Sequence, residues 1–204
     1  MAQLTPAFFQ TILKIEGGYQ AFPDDNGNYC GGALVGTKYG VSAVAFGTWA
    51  GRCPTVDEMK ALTTDTAFQF YSWYFDRYNL YQVEDQKFFE LLANNTMGSP
   101  AAAARSEQKA LNRLGYSVQV DGVRGSATIS ALNTAWRKNP AAIYNAVREE
   151  WVKYLYGINK PQFLPGWLKR LDNYFPPMGS AAVGIGAVIG AMIAFILITT
   201  STKK

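Results

Sequence analysis

The chain has 204 residues, 49% of them hydrophobic and 17% charged, a balance that supports a folded core and excludes wholesale disorder. It contains no histidine, which removes Ser-His-Asp and Cys-His catalysis, histidine-bound zinc and imidazole pH switching together. The net charge is +4, but Lys203 and Lys204 end the chain, and the other 17 basic residues against 15 acidic ones are too scattered for a nucleic-acid groove.

Thr5-Pro6 reads as an N-cap followed by proline at the first helical position. Phe9, Ile12, Leu13 and Glu16 then recur at helical spacing, so a carboxylate continues an apolar stripe. Gly17-Gly18 stops that helix at once. The Gly-, Asn- and Asp-rich segment 19–37 predicts a loop or a small β-hairpin. Ser42 caps a helix to about Trp49, and Thr55 with Glu58 forms the capping box of a short one. Further helices are predicted over 65–78, over 84–94, and from Ser99-Pro100 to Gly115. A β-like run at 116–120 ends at the Asp121-Gly122 turn. Helices follow over 126–136 and over 140–156, then a short one around Trp167. The fold class is mainly α, with a minor β element.

Residues 181–198 form an unbroken run without charged or strongly polar side chains. As a helix it would be about 27 Å long at roughly 1.5 Å per residue, close to a bilayer core. A C-terminal transmembrane helix with a basic tail is therefore expected, spanning a lipid membrane over 179–200. Ala182, Gly186, Gly190 and Ala194 place small residues on one face, and Gly186 with Gly190 makes a GxxxG pattern open to self-association. The start of the chain has neither the charged region nor the apolar run of a secretory signal. Cys30 and Cys53 either form one disulfide or remain two thiols, and the absence of a CxxC pattern argues against structural zinc.

Without histidine, acid–base chemistry falls to the carboxylates. Glu16 admits three readings: a solvated helix-end residue, a buried partner for an arginine, or an acid raised by desolvation until it donates a proton near neutrality. Asp24 and Asp25 follow in a polar loop, where a carboxylate stays ionised. Taken alone, both read as turn-forming residues. Two carboxylates in contrasting surroundings are nonetheless what glycosidic-bond cleavage requires.

The stretch ILKIEGGYQAFPDD at 12–25, followed by TKYGVS at 37–42, resembles the N-terminal signature of glycoside hydrolase family 108, a family of lysozyme-like N-acetylmuramidases. Glu16, Gly17, Gly18, Tyr19, Pro23, Asp25, Thr37, Tyr39 and Gly40 match its pattern. Weaker similarity continues at Tyr74-Phe75-Asp76, at VDGVRGSATISALN (120–133), which is similar to a peptidoglycan-binding half, and at GWLKRL (166–171). The resemblance covers roughly 5–172.

It implies an α+β lysozyme-like fold with a catalytic region over 1–98 and a helical peptidoglycan-binding-like region packed on it over 99–177, ahead of the membrane segment expected from the apolar run over 178–204. It implies that Glu16 is the catalytic acid, Asp25 its ionised partner and Thr37 an aid in orienting water. Neither metal nor organic cofactor is expected. Tyr19, Phe22, Tyr39, Trp73 and Tyr74 are candidate sugar-stacking residues. For Trp73 and Tyr74, on an aromatic helix, core packing is the stronger reading. The expected function is a phage-type muramidase acting on bacterial peptidoglycan at the bond between N-acetylmuramic acid and N-acetylglucosamine. It would be held at a virion or host inner membrane. The competing expectation is a non-catalytic wall-binding or virion structural protein, favoured by the loss of an acidic residue in LLANNTMGS.

Overall fold

The computed structural model describes residues 2–179. The first helix, α1 (Pro6–Glu16), starts where the sequence signals it: the Thr5 hydroxyl accepts from the Phe8 amide at 3.1 Å, with Pro6 at the first helical position. Two minimal hairpins follow. Strands β1 (Tyr29–Cys30) and β2 (Ala33–Leu34) pair antiparallel, as do β3 (Thr37–Lys38) and β4 (Val41–Ser42). In the second hairpin both turn residues, Tyr39 (φ 53°) and Gly40 (φ 75°), take the left-handed conformations of a type I′ turn.

Helix α2 (Ala43–Ala50) grows directly out of β4, capped by Ser42. Short α3 (Val56–Ala61) carries the expected Thr55–Glu58 capping box. The aromatic helix α4 (Thr64–Arg77) leads to α5 (Gln86–Gly98), which is buried along nearly its whole length. The second half consists of α6 (Pro100–Arg113), α7 (Ser126–Lys138), α8 (Pro140–Gly157) and α9 (Leu164–Tyr174). Serine, asparagine and aspartate caps at Ser99, Asn139 and Asp85 start α6, α8 and α5.

One continuous core joins the two halves. Phe8, Phe75 and Phe89 form an edge-to-face and stacked cluster at centroid separations of 5.6–6.4 Å. Leu91, Leu92, Leu111, Leu132, Tyr144 and Trp151 carry the same core into α6–α8. Within it Arg124, on the loop before α7, makes a two-pronged ion pair with Glu107 of α6 at 2.6 and 2.7 Å. The same guanidinium donates to the Thr96 hydroxyl of α5 and to the Tyr78 carbonyl. Arg148 of α8 similarly holds α9, donating to the Phe175 carbonyl and pairing with Asp172.

Three expectations change. The run at 116–120 is not a strand. Val118 finds its backbone partners in the Asn112 side chain, which donates to its carbonyl at 2.9 Å and accepts from its amide at 2.8 Å, so no second strand is needed. The helix predicted around Trp167 is a full three turns, α9. The membrane-anchored location is corrected, because no helix among the described residues is long and apolar enough to cross a membrane. The longest of them, α8, carries Arg148, Glu149, Glu150 and Lys153. The run at 181–198, with Gly186 and Gly190, lies outside the described residues.

Candidate active site

Glu16 is the last residue of α1, and Gly17 (φ 69°) turns the chain away beneath it. The Gly17 carbonyl then accepts from the Tyr39 amide at 3.2 Å, which ties the helix end to the β3–β4 turn. At Gly40 the packing is so close that a Cβ would lie 2.8 Å from Glu16 Cγ and 2.3 Å from the Tyr71 hydroxyl. Tyr71, buried on α4, donates that hydroxyl to the Tyr39 carbonyl at 2.9 Å. Burial pushes the Tyr71 phenol well above its ordinary range, with the nearby Glu16 charge adding to the effect, so it stays protonated and remains a donor.

The fourth wall comes from the far end of the chain. Arg170 of α9 donates to Glu16 Oε1 at 3.2 Å, with the Glu16 side chain 23% exposed and Arg170 27% exposed. Burial raises the Glu16 pKa above 4.5, and the Arg170 charge and hydrogen bond pull against that rise. The carboxyl is thus held between two influences: a dry setting that favours the acid, and a cation that receives the carboxylate once the proton leaves.

Thr37 and Asp25 belong to one polar knot at the open end of the second hairpin. Its centre is Asn28, fully buried and not anticipated from the sequence. Asn28 accepts from the Thr37 hydroxyl at 2.6 Å and donates to the Gln20 side chain at 2.9 Å and the Phe22 carbonyl at 3.0 Å. Its own carbonyl accepts from the amides of Val35 and Gly36. Asp25 is exposed and caps the 3-10 turn Asn26–Asn28, accepting from the Gly27 amide at 2.9 Å. Gly27 in turn packs against Ser42. No hydrogen bond among the described residues joins Asp25 or Thr37 to Glu16. Cys30 and Cys53 form a disulfide that fastens β1 to the segment between α2 and α3.

The five aromatic candidates divide. Phe22 is 67% exposed. Tyr39 sits in the turn beside Glu16, with Lys38 Nζ 5.1 Å from its ring centre. Tyr19 is a clamp whose hydroxyl donates to the Val35 carbonyl at 2.9 Å, and whose ring lies against Gly36. Trp73 and Tyr74 pack with Phe70 along α4, and Tyr74 also donates to the Thr96 carbonyl. The structure therefore brings Glu16 and Tyr39 together, sets Asp25 and Thr37 at the other end of the same hairpin, and leaves Trp73 and Tyr74 in the packing of α4. The sequence reasoning missed Arg170, Asn28 and Tyr71. Arg170 had one signal, its place in the GWLKRL segment.

Residues 9–94 match the family described as Glycosyl hydrolase 108, and residues 102–172 match the one described as Predicted Peptidoglycan domain. No curated protein matches the chain. Among solved structures it is similar to that of Brucella abortus SagA, with 25% identity, 83% of this chain and 92% of that chain covered, and a TM-score of 0.65. The first half of the chain is thus similar to glycosyl hydrolase 108 domains and the second to peptidoglycan domains, and the protein is a glycoside hydrolase.

Proposed function

We propose that the protein is a muramidase that cleaves the β-1,4 bond between N-acetylmuramic acid and N-acetylglucosamine in peptidoglycan, with Glu16 as the proton donor. The observation that carries this reading is the position of Glu16. It is a sheltered carboxyl with a raised pKa, at the end of a rigid helix, in contact with a cation supplied by the peptidoglycan domain. In the reaction Glu16 gives its proton to the glycosidic oxygen as the bond to the anomeric carbon breaks. The negative charge that develops on Glu16 is received by Arg170, which strengthens that contact as the transition state is reached.

Asp25 is the ionised partner that takes a proton from the attacking water. With its own hydrogen committed to Asn28, the Thr37 oxygen is left as an acceptor that orients the water. Glu16 packs at the turn end of the β3–β4 hairpin and Asp25 lies beside its open end, and a base that acts through a water on the face opposite the acid inverts the anomeric carbon.

Mass spectrometry of muropeptides released from purified peptidoglycan tests the reading. Reducing N-acetylmuramic acid ends are expected from the wild type. Glu16→Gln, which keeps the volume and removes the titrating proton, is expected to lose about 10²–10⁴-fold in rate. Reducing N-acetylglucosamine ends, or free stem peptides, or full activity in Glu16→Gln would reject it. Proton NMR of the fresh product is expected to show the α anomer.

A further inference from the structure

The segment 21–34, which carries Asp25 and the first hairpin, sends no fully buried apolar side chain into the core. Its one buried residue is the polar Asn28. The hairpin itself is only two residue pairs long, Tyr29 with Leu34 and Cys30 with Ala33, and strands that short are not stable alone. Two devices above all hold this segment on the helices: the Asn28 hydrogen bonds and the Cys30–Cys53 disulfide.

The disulfide is placed to govern that segment from outside the core. A Cβ at Gly47 of α2 would stand 3.1 Å from the Cys30 sulfur, so the bond rests against that helix. Cys53 is exposed on the stretch that follows α2, which puts this end of the bond at the surface. Cys30 lies two residues after Asn28, so what moves Cys30 moves the centre of the polar knot. The Asn28 amide donates to the Asp25 carbonyl at 3.0 Å, its carbonyl accepts from the Val35 and Gly36 amides, and its side chain holds the Thr37 hydroxyl. Glu16 is tied differently, through α1, the Tyr39 amide and Arg170. The acid therefore keeps its place when the Asp25 arm does not.

We infer that the Cys30–Cys53 pair is a redox switch of catalysis: oxidised, it fixes the arm that carries Asp25 and Asn28; reduced, it releases that arm while Glu16 and the helices stay folded. The inference rests on the muramidase reading for the roles of Asp25 and Thr37. Closure is a thiol–disulfide exchange with an external disulfide, RSSR. The Cys53 thiolate attacks one sulfur of RSSR and expels RS⁻, and the Cys30 thiolate then attacks the Cys53 sulfur of the mixed disulfide and expels the second RS⁻. The two cysteines give up two electrons and two protons, and RSSR leaves as two RSH. A dithiol reductant reverses the exchange and is itself oxidised to a disulfide. The cytoplasm keeps thiols reduced, whereas peptidoglycan lies outside it, where disulfides persist. The switch leaves the acid without its water-handling arm in a reducing compartment and completes the site at the wall.

The test uses the full-length protein in thiol–disulfide buffers of graded poise, oxidised glutathione at one end and dithiothreitol at the other. Alkylation and mass spectrometry read the reduced fraction. The rate of wall hydrolysis is expected to fall at least tenfold as the pair is reduced and to return on reoxidation, with the far-ultraviolet dichroism unchanged. Hydrogen exchange on the same samples is expected to show protection lost on reduction at the Gly27, Asn28, Val35 and Gly36 amides and kept in α5 and α8. The Cys30→Ser, Cys53→Ser double variant should match the reduced wild type and ignore the buffer; the wild-type titration decides the matter even if that variant fails to fold. Equal rates in the oxidised and reduced protein would overturn the switch and leave the muramidase reading standing. Protection lost throughout α5 and α8 together with activity would also overturn it, since that is global unfolding. Reducing N-acetylglucosamine ends from the oxidised protein, at a rate that still follows the poise, would reject the muramidase reading and keep the switch.

Discussion

At Glu16, burial and Arg170 act in opposite directions on one proton. Because burial is the larger effect, the folded-state pKa lies above 4.5. The stability this group contributes is therefore complete below 4.5 and declines as pH rises through the folded pKa. The proposed reaction follows the same titration, since only the protonated acid can donate. Activity is expected to fall on the alkaline side as Glu16 ionises. Arg170→Gln removes the opposing cation, so the alkaline limb should move to higher pH, while the maximal rate drops because the developing carboxylate loses its partner. Wall-hydrolysis rates across pH check both; an unmoved limb would show that Arg170 does not act on the acid. A second residue-level expectation concerns Gly40. Its positive φ costs an L-residue about 1–2 kcal/mol, and a methyl there would collide with both Tyr71 and Glu16. Gly40→Ala should lower the melting temperature and displace the acid, reducing activity more than its stability loss accounts for.

At the scale of elements, much was legible because helix starts are local. Thr5-Pro6, Ser42, the Thr55–Glu58 box, Ser99-Pro100 and Asn139-Pro140 each satisfy orphan amides within their own first turn, and each marks a helix that forms. The position of Glu16 at a helix end was readable for the same reason. What was not readable depends on distant partners. The 116–120 run has strand-like composition, but a strand needs a second strand, and the Asn112 side chain takes that place. Arg170 meets Glu16 across 154 positions, and no local pattern encodes such a contact. Whether Cys30 and Cys53 pair was likewise open, since sequence spacing does not place two thiols together. The structure closes that loop across a separation of 23 residues, which on the chain-entropy account is worth about 3 kcal/mol. The bond fastens the first hairpin to the segment following α2, next to the Asn28 knot. The Cys30→Ser, Cys53→Ser double variant should unfold at lower denaturant by about that amount, as should the reduced wild type. Chemical denaturation with and without reductant measures it.

Across the whole molecule, α9, within the segment similar to peptidoglycan domains, supplies a wall of the candidate site, so the two matched segments are expected to melt as one unit. The shared core and the buried Arg124–Glu107 pair, which reaches Thr96 and the Tyr78 carbonyl, span the division between them. Calorimetry should show a single transition. Arg124→Leu strands the Glu107 carboxylate in the core and should cost about 3–5 kcal/mol. The same connectivity yields a sharper expectation at a distance. Arg148 is buried on α8 and holds α9 through Asp172 and the Phe175 carbonyl, and α9 in turn presents Arg170 to Glu16. Arg148 touches neither the acid nor the hairpins among its described partners. Arg148→Met keeps most of the aliphatic packing and removes the grip on α9, so Arg170 should lose its fixed position. The alkaline limb of the wall-hydrolysis profile is then expected to move in the same direction as in Arg170→Gln, and combining the two substitutions should add little further. Independent, additive shifts would mean that α9 holds its place without Arg148, and that the acid is set by its own helix and hairpin alone.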